Sequence, residues 1–290
     1  MKLKFLSVTL VVIVIVIVVV LQAMKKNNVS APKFEDFDLN NFDEHSININ
    51  NEWSPLIPGT QWVYEGTTKE DGKEIAHRVV FTVTDLTKVI NGVSNVVAWD
   101  TDLAADSLVE TELAFYAQDK DGNVWHFGQY PEEYEEGKLV AAPAWIAGLE
   151  DAKAGISMMR NPQPGTKSYS QGWGPRVNWT DRAKVVEVGK KNCVPFGCYE
   201  NTLTIEETAQ KEPGAFQLKY YAQNIGNIAV GWKGKDATQE TLKLVDFKKL
   251  SLEDMDKVRT EALELEKRAY EISKDVYGHT QPAKQTFNKP

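Results

Sequence analysis

Cysteine and histidine are scarce in this chain, and that scarcity excludes several kinds of site. Only two cysteines and four histidines occur among 290 residues. Cys193 and Cys198 have no histidine near them in sequence, so they cannot form a zinc site by themselves. The sequence also lacks a Gly-x-Ser-x-Gly turn, a His-Glu-x-x-His helix and a glycine-rich phosphate loop. We therefore predict no metal site and no cofactor.

Positive charge is in short supply as well. The chain has 33 Lys and Arg against 41 Asp and Glu, a formal net charge of −8. Nucleic-acid binding needs clustered cations that displace counterions from phosphates, so we expect no nucleic-acid partner. Hydrophobic residues make up 42% of the chain, which is ample for a packed core and excludes global disorder.

A long apolar run opens the chain. Residues 5–24 contain no charge and would span roughly 30 Å as a helix, enough to cross a bilayer. A cleaved signal peptide and a retained anchor are both open, and we favour the anchor because no good small-x-small cleavage site follows. The sequence thus predicts a single-pass membrane protein with its anchor in residues 1–26 and the bulk of the chain extracytoplasmic. A polar linker is predicted over residues 27–52, where scattered phenylalanines could pin part of it to the domain.

Outside the cytoplasm the two cysteines are expected to pair. Four residues including Pro195 and Gly197 separate them, which allows a tight loop closed by a Cys193–Cys198 disulfide. Two unpaired thiols are the alternative.

Alternation of apolar and polar residues dominates residues 53–250. Asn91-Gly92 between two apolar runs is a strong hairpin signal, because both residues tolerate positive φ. Val109, Leu113 and Phe115 fall on one face of another strand, opposite Glu110 and Glu112. The pattern predicts a mainly β extracytoplasmic domain: a curved antiparallel meander, half-barrel or sandwich-like. Residues 131–161 break the rhythm, and we expect a long connection without clear strands there.

One long C-terminal helix is predicted over residues 251–278. Ser251 and Asp254 fit a capping box, and apolar residues then recur at spacings of three and four. Packing on the chain's own sheet is favoured over a coiled coil between chains. Residues 279–290 are predicted to be a disordered tail.

Candidate catalytic residues cluster after the turn Asp119-x-Asp-Gly-Asn123. Those letters resemble half of a calcium loop, but an Asp-Gly hairpin turn explains them equally well, and we favour the turn. His126, with Asp119 and Asp121, is the candidate acid/base set, although a lone strand histidine is more often packed. The glutamates of residues 132–136 are a further acid/base candidate, with a solvated loop as the favoured alternative.

Aromatic residues give the strongest binding signal. Side chains of this kind could line a cleft for a sugar or a lipid, or could cover one face of the sheet. The predicted ligand-binding residues are Trp125, Tyr130, Trp145, Trp173 and Trp179.

Three motifs carry a resemblance to a known family. They are Trp53-x-Pro-Leu-x-Pro-Gly-Thr-x-Trp-x-Tyr64, Asp121-Gly-Asn-Val-Trp-x-Phe-Gly128, and Ala147-Gly148 followed by Ala154-Gly-Ile156. The chain resembles a family of uncharacterised exported or membrane-anchored bacterial and archaeal proteins. The resemblance implies an extracytoplasmic β-rich domain and assigns no catalytic residue.

The leading hypothesis is non-catalytic binding of an apolar or carbohydrate ligand, or of an envelope protein partner, by a protein held in the membrane through its N-terminal helix. One alternative is an extracytoplasmic hydrolase that uses His126 with nearby carboxylates. Another is a structural component of the cell envelope.

Overall fold

The computed structural model describes residues 33–286. The predicted transmembrane helix and the first residues of the predicted linker lie outside these described residues. Between residues 33 and 286 there is no helix long and apolar enough to span a bilayer.

Antiparallel strands make up most of the described chain, with one α-helix near its C-terminus. Short 3-10 helices occupy Leu39–Asn41, Pro175–Val177 and Tyr277–His279. The α-helix, α1, runs from Leu252 to Ile272. The first eight strands are β1 (Thr60–Glu70), β2 (Lys73–Ile90), β3 (Val93–Ala104), β4 (Ser107–Gln118), β5 (Val124–Glu135), β6 (Lys138–Ala141), β7 (Trp145–Ile146) and β8 (Lys153–Met158). The remaining eight are β9 (Tyr169–Ser170), β10 (Gly172–Trp173), β11 (Arg182–Val194), β12 (Gly197–Thr208), β13 (Ala215–Ala222), β14 (Gly226–Gly234), β15 (Thr241–Lys249) and β16 (Lys284–Gln285).

The strands form a meander that closes on itself. β1 lies between β2 and β15, so the sheet runs from β8 through β1 to β11 with antiparallel neighbours throughout. At its two ends, β10 pairs with β8 and β9 pairs with β11. Because only Gln171 separates β9 from β10, this short segment joins both ends of the sheet. The predicted mainly antiparallel β-domain with one C-terminal helix is confirmed, and the segment 169–173 joins the two ends of the sheet.

Two glycines permit this closure. A Cβ on Gly155 would lie 2.2 Å from the backbone nitrogen of Gly172, so the crossing strands approach too closely for any side chain there. Gly172 has φ +146°, which side-chain-bearing residues rarely adopt. The two positions therefore fix where segment 169–173 crosses β8.

The predicted hairpin turn is confirmed at Asn91 and Gly92, where φ is +49° and +80° and Ile90 pairs with Val93. Such positive φ angles match the twist of the flanking strands. The turn places β3 beside β2 with its alternate residues on opposite faces of the sheet.

Helix α1 packs on the outer face of the sheet. Its buried residues Ala262, Leu265 and Ala269 belong to one core with Leu113 and Phe115 of β4. Ser251 caps the helix, because its hydroxyl accepts a hydrogen bond from the backbone N–H of Asp254. Packing on the chain's own sheet is thus confirmed as the role of the apolar stripe.

The expectation of a strandless connection at residues 131–161 is wrong. β5 continues to Glu135, and β6, β7 and β8 follow within the segment, each pairing with β5. Strands of two to six residues interrupted by proline and glycine are too short to show alternation in sequence. These strands form through backbone pairing with β5, and no sequence pattern predicts that pairing.

Phenylalanines of the predicted linker hold part of it on the domain, as expected, whereas the predicted tail differs from the structure. From Phe34 onward the predicted linker packs on the domain: the rings of Phe37 and Phe42 lie 5.8 and 5.9 Å from the ring of Trp125. In the predicted tail, β16 pairs with the part of β2 that extends beyond β1. Both segments gain order from neighbours distant in sequence.

The predicted disulfide between Cys193 and Cys198 is confirmed. The two residues face each other across β11 and β12, with their Cα atoms 4.0 Å apart. The bond closes the turn that joins these strands.

Candidate functional site

The inner face of the closed sheet encloses a cavity of about 370 Å³. That volume lies in the range of small-molecule sites. Its wall combines aromatic rings, amides and ionisable groups from ten of the sixteen strands and from the loops between them. Among these lining residues are Trp62, Tyr116, Trp179, Gln129, Asp100 and Glu112.

Two carboxyl groups meet on one wall. Asp100 of β3 and Glu112 of β4 are directly opposite each other in the antiparallel register. Strand alternation puts both on the inner face, while Leu113 faces the helix on the other side. Directly opposed like charges destabilise a sheet, so this pair is costly for folding alone.

The same arrangement continues along the wall. Asp102 is opposite Glu110, and Glu110 is in turn opposite Glu133 of β5. Beside Asp102 lies His77, which is buried and makes ion pairs to Asp102 and to Glu240. The described sheet therefore places a row of carboxyl groups across three neighbouring strands.

Burial and mutual repulsion change the acidity of these groups. Burial raises the pKa of Asp100 and of Glu112 well above the ordinary range, and neighbouring carboxylates add to both shifts. Burial first, and then the charges of Asp102 and Glu133, raise the pKa of Glu110 to about 7. For His77, burial acts to lower the pKa, but the hydrogen bond and charge of Asp102 outweigh it and the net shift is upward. The wall holds protons at a pH where free carboxyl groups have lost them.

A second set of charges on the cavity is already satisfied. Lys219 of β13 donates to Glu207 Oε2 at 2.8 Å, and Gln171 donates to Glu207 Oε1 at 2.6 Å. Gln171 is the residue between β9 and β10, so this network also ties the closing segment to β12. Lys219 is therefore paired within the protein.

A second cavity, of about 310 Å³, adjoins the first and shares four lining residues with it: Gln129, Trp179, Asp181 and Glu207. We call it the mouth. Burial, followed by the charge of Glu207, raises the pKa of Asp181 to about 6. The carboxyl groups of the mouth outnumber its one lysine, Lys211. They are Glu110, Glu133, Asp181, Glu207, Glu212 and Asp236.

His126 lines the cavity but has no carboxylate partner. Its Nε2 lies 3.0 Å from the carbonyl oxygen of Gly128, and its ring stacks on Tyr116. Burial lowers the pKa of His126 to about 3, so the ring is neutral. The hydrolase hypothesis requires His126 to be oriented by a carboxylate, and the structure shows a backbone carbonyl in that place.

Asp119 and Asp121 serve the turn that precedes β5. The carboxylate of Asp119 accepts hydrogen bonds from the backbone and side chain of Asn123 and from the indole of Trp125. Asp121 accepts from Asn41. Hence both aspartates are engaged away from His126. In residues 33–286 no group of three or more His, Cys, Asp or Glu is placed to hold a metal ion.

The predicted aromatic residues divide between cavity and core. Trp179 lines both cavities, and Trp145 packs against it with ring centroids 4.8 Å apart. Trp125 and Tyr130 lie in the core beneath the helix instead. Trp173 contacts Phe34, with ring centroids 5.4 Å apart.

Glu132 is a buried structural group within the predicted solvated loop. It is fully buried and accepts hydrogen bonds from Arg268 of α1 and from the hydroxyls of Tyr130 and Tyr134. Burial acts to raise the pKa of Glu132, but the hydrogen bonds from Arg268 and the two tyrosines outweigh it, so the net shift of the pKa is downward. This glutamate fastens the helix to β5.

Sequence reasoning missed most of the cavity wall. Glu110 and Glu112 were visible as the polar face of a strand, but a polar face usually meets solvent. Two sequence features could have indicated that this face lines an interior: acidic residues alternate on both strands of a hairpin, and tyrosines fall on the same faces. Lys219, Glu207 and Gln171 gave no local signal, because they meet only after the sheet closes.

No protein-family model matches the chain, and no curated protein matches its sequence. Three solved structures are similar to part of it. A candidate exported protein with a YmcC-like fold from Bacteroides fragilis is 16% identical with a TM-score of 0.41, covering 69% of this chain and 100% of that chain. A candidate lipoprotein from Parabacteroides distasonis is 14% identical with a TM-score of 0.31, covering 67% and 97%. A beta-barrel-like protein of a domain of unknown function from Brucella abortus is 14% identical with a TM-score of 0.39, covering 66% and 98%. Similarity this low assigns neither ligand nor activity to this chain.

Proposed function

We propose that this protein binds a small polar ligand of carbohydrate size inside its closed sheet, outside the cytoplasm and without catalysis. The cavity of about 370 Å³ carries the proposal, because it places Trp179 and Tyr116 beside amide and carboxyl groups. Flat aromatic walls with a few convergent polar groups are typical of small-molecule sites.

A wholly apolar ligand fits this wall poorly. It would remove water from Asp100 and Glu112 without offering them hydrogen bonds, at a cost of about 1–3 kcal/mol for each unpaired group. A hydroxylated ligand replaces the lost water contacts. Of the two ligand classes expected from the sequence, the carbohydrate class is therefore the better match.

Location outside the cytoplasm is supported by two features. Residues 5–24 are uncharged and long enough to anchor the chain in a membrane. The Cys193–Cys198 bond belongs to an oxidising compartment. Together they support an anchored, extracytoplasmic binding protein.

The location of the site can be tested by filling the cavity. Ser157 lines the cavity and Ser107 is exposed at the start of β4. The full-length chain and its Ser157→Phe and Ser107→Phe variants would be titrated by calorimetry with a panel of neutral and amino sugars. We expect at least one sugar to bind wild type and Ser107→Phe but not Ser157→Phe, with both variants keeping a cooperative thermal transition. Equal binding by a folded Ser157→Phe, or no binding of any sugar to wild type, would overturn the proposal.

A further inference from the structure

We propose that the ligand of this cavity is a cation: a small molecule with a protonated amine, held between the carboxyl pair Asp100–Glu112 and the ring of Trp179. The inference rests on the proposed function and names the ligand class of the same site.

The strand register places acidic side chains directly opposite one another. Asp100 faces Glu112, and Asp102 faces Glu110, in consecutive inner-face pairs of the same two strands. Burying opposed carboxyl groups costs free energy, because they either repel each other as like charges or must hold protons. Departures from local design rules tend to occur where function requires them. A bound ammonium group would add a counter-charge beside Asp100 and Glu112, beyond that of His77 at Asp102 and of Lys219.

The same wall offers hydrogen-bond acceptors to a ligand. Oδ1 of Asp100 is buried and has no hydrogen-bond partner in the described chain. His126 is 6% exposed, and its Nε2 faces the Gly128 carbonyl, which can only accept, so Nε2 carries the proton. Nδ1 of this neutral ring is then an acceptor. These acceptors suit a ligand that donates hydrogen bonds, as an ammonium group does with three N–H bonds.

Aromatic rings complete the site for a cation. Trp179 and Tyr116 line the cavity together with Asp100 and Glu112. A cation over an aromatic face is attracted by the ring quadrupole, most strongly for tryptophan and when water is excluded. Lys219 does not fill this role, because its amine is committed to Glu207 at 2.8 Å.

The mouth, which adjoins the cavity, also favours a positively charged ligand. The mouth carries six carboxyl groups and one lysine, Lys211. A cleft lined by one sign of charge concentrates the opposite sign and speeds its association. The ionised members of this set would repel an anion in the mouth.

Affinity for an amine should rise with pH between 5 and 8. The pKa of Glu110 is raised by burial, then by Asp102 and Glu133, to about 7, and that of Asp181 by burial, then by Glu207, to about 6. Both ionise across this interval, whereas an alkyl amine with a pKa near that of lysine, about 10, stays protonated. Other charged groups also act on these two carboxyl groups. Glu110 feels the charge of Glu240, which is itself paired with His77. Asp181 feels the charges of Lys211, Lys219 and Glu212.

A matched pair of sugars tests the charge. Glucose and 6-amino-6-deoxyglucose differ by one hydroxyl replaced by one amine, and calorimetry on the full-length chain would measure both at pH 5.5 and pH 8. We expect the amine to bind at least about tenfold more tightly than glucose at pH 8, as a charge-assisted hydrogen bond allows. The preference should shrink at pH 5.5.

Variants locate the effect. Asp100→Asn with Glu112→Gln keeps the shape of the wall and removes the two carboxyl groups that can ionise against a bound amine, so it should abolish the preference for the amine. Glu261→Gln, the same chemical change on an exposed position of α1, should leave it intact. Glucose binding as tightly as the amine would overturn the inference and leave the proposed function standing. If neither sugar binds, and no other member of the panel binds either, both the inference and the proposed function would be overturned.

Discussion

Lys88 and Glu266 form a buried ion pair that offers a quantitative test of how the helix is held on the sheet. The amine of Lys88 lies 2.7 Å from Glu266 Oε1 and 2.7 Å from the carbonyl oxygen of Gln281. Its side chain is fully buried, and that of Glu266 is 6% exposed. The pair thus joins β2, helix α1 and the C-terminal segment in one contact.

Changing one partner should cost far more than changing both. Lys88→Met leaves the carboxylate of Glu266 buried with only the Tyr277 hydroxyl and the Ala283 N–H, each at 3.1 Å. An unpaired buried charge destabilises a protein by about 3–5 kcal/mol. The double variant Lys88→Met with Glu266→Leu removes both charges and should cost clearly less than Lys88→Met alone, because only neutral groups then lose a partner: the Tyr277 hydroxyl, the Ala283 N–H and the Gln281 carbonyl.

Urea unfolding followed by tryptophan fluorescence measures these free energies. We expect strong non-additivity between the two changes, because their side chains share one interaction. Lys267→Met, on an exposed position of the same helix, is the control and should change little. Additive effects, or a single change at Lys88 that costs less than about 1 kcal/mol, would refute the reasoning.

Two further predictions concern the inner wall and the disulfide. Stability should fall as pH rises from 5 to 8, because Glu110 and Asp181, with pKa values raised to about 7 and 6, hold protons in the folded protein that the unfolded chain has released. Glu110→Gln should flatten this slope in calorimetric melting curves, and an unchanged slope would contradict the assignment. Replacing Cys193 and Cys198 by serine should lower the free energy of unfolding by about 2 kcal/mol, the chain-entropy value for so short a loop. A loss above about 4 kcal/mol in urea titrations would show that the bond does more than close its turn.

Local chemistry made much of the fold predictable. The Asn91-Gly92 turn requires positive φ that few other residue pairs tolerate, so its hairpin could be placed from sequence. Ser251 likewise marked the start of α1 through a side chain that caps its own backbone. Both signals act within a few residues, where sequence alone suffices.

The candidate site was harder to predict because it depends on closure. The residues that close the sheet form strands of two residues, which carry no periodicity. Without closure, the face bearing Glu110 and Glu112 is simply the polar side of a strand. Trp179 was predicted as a binding residue and does line the cavity, whereas Trp125 resembled it in sequence and lies in the opposite core. Which face becomes enclosed is a property of the whole sheet.

The central claim is that the interior of the sheet receives the ligand. A crystal structure of the full-length chain soaked with a brominated benzylamine tests it most directly, since anomalous scattering from bromine marks the ligand. We expect the ligand inside the cavity, with its nitrogen within hydrogen-bond distance of Asp100 or Glu112 and its ring near Trp179. A cavity filled by protein side chains, or bromine found only on the outer surface, would contradict it.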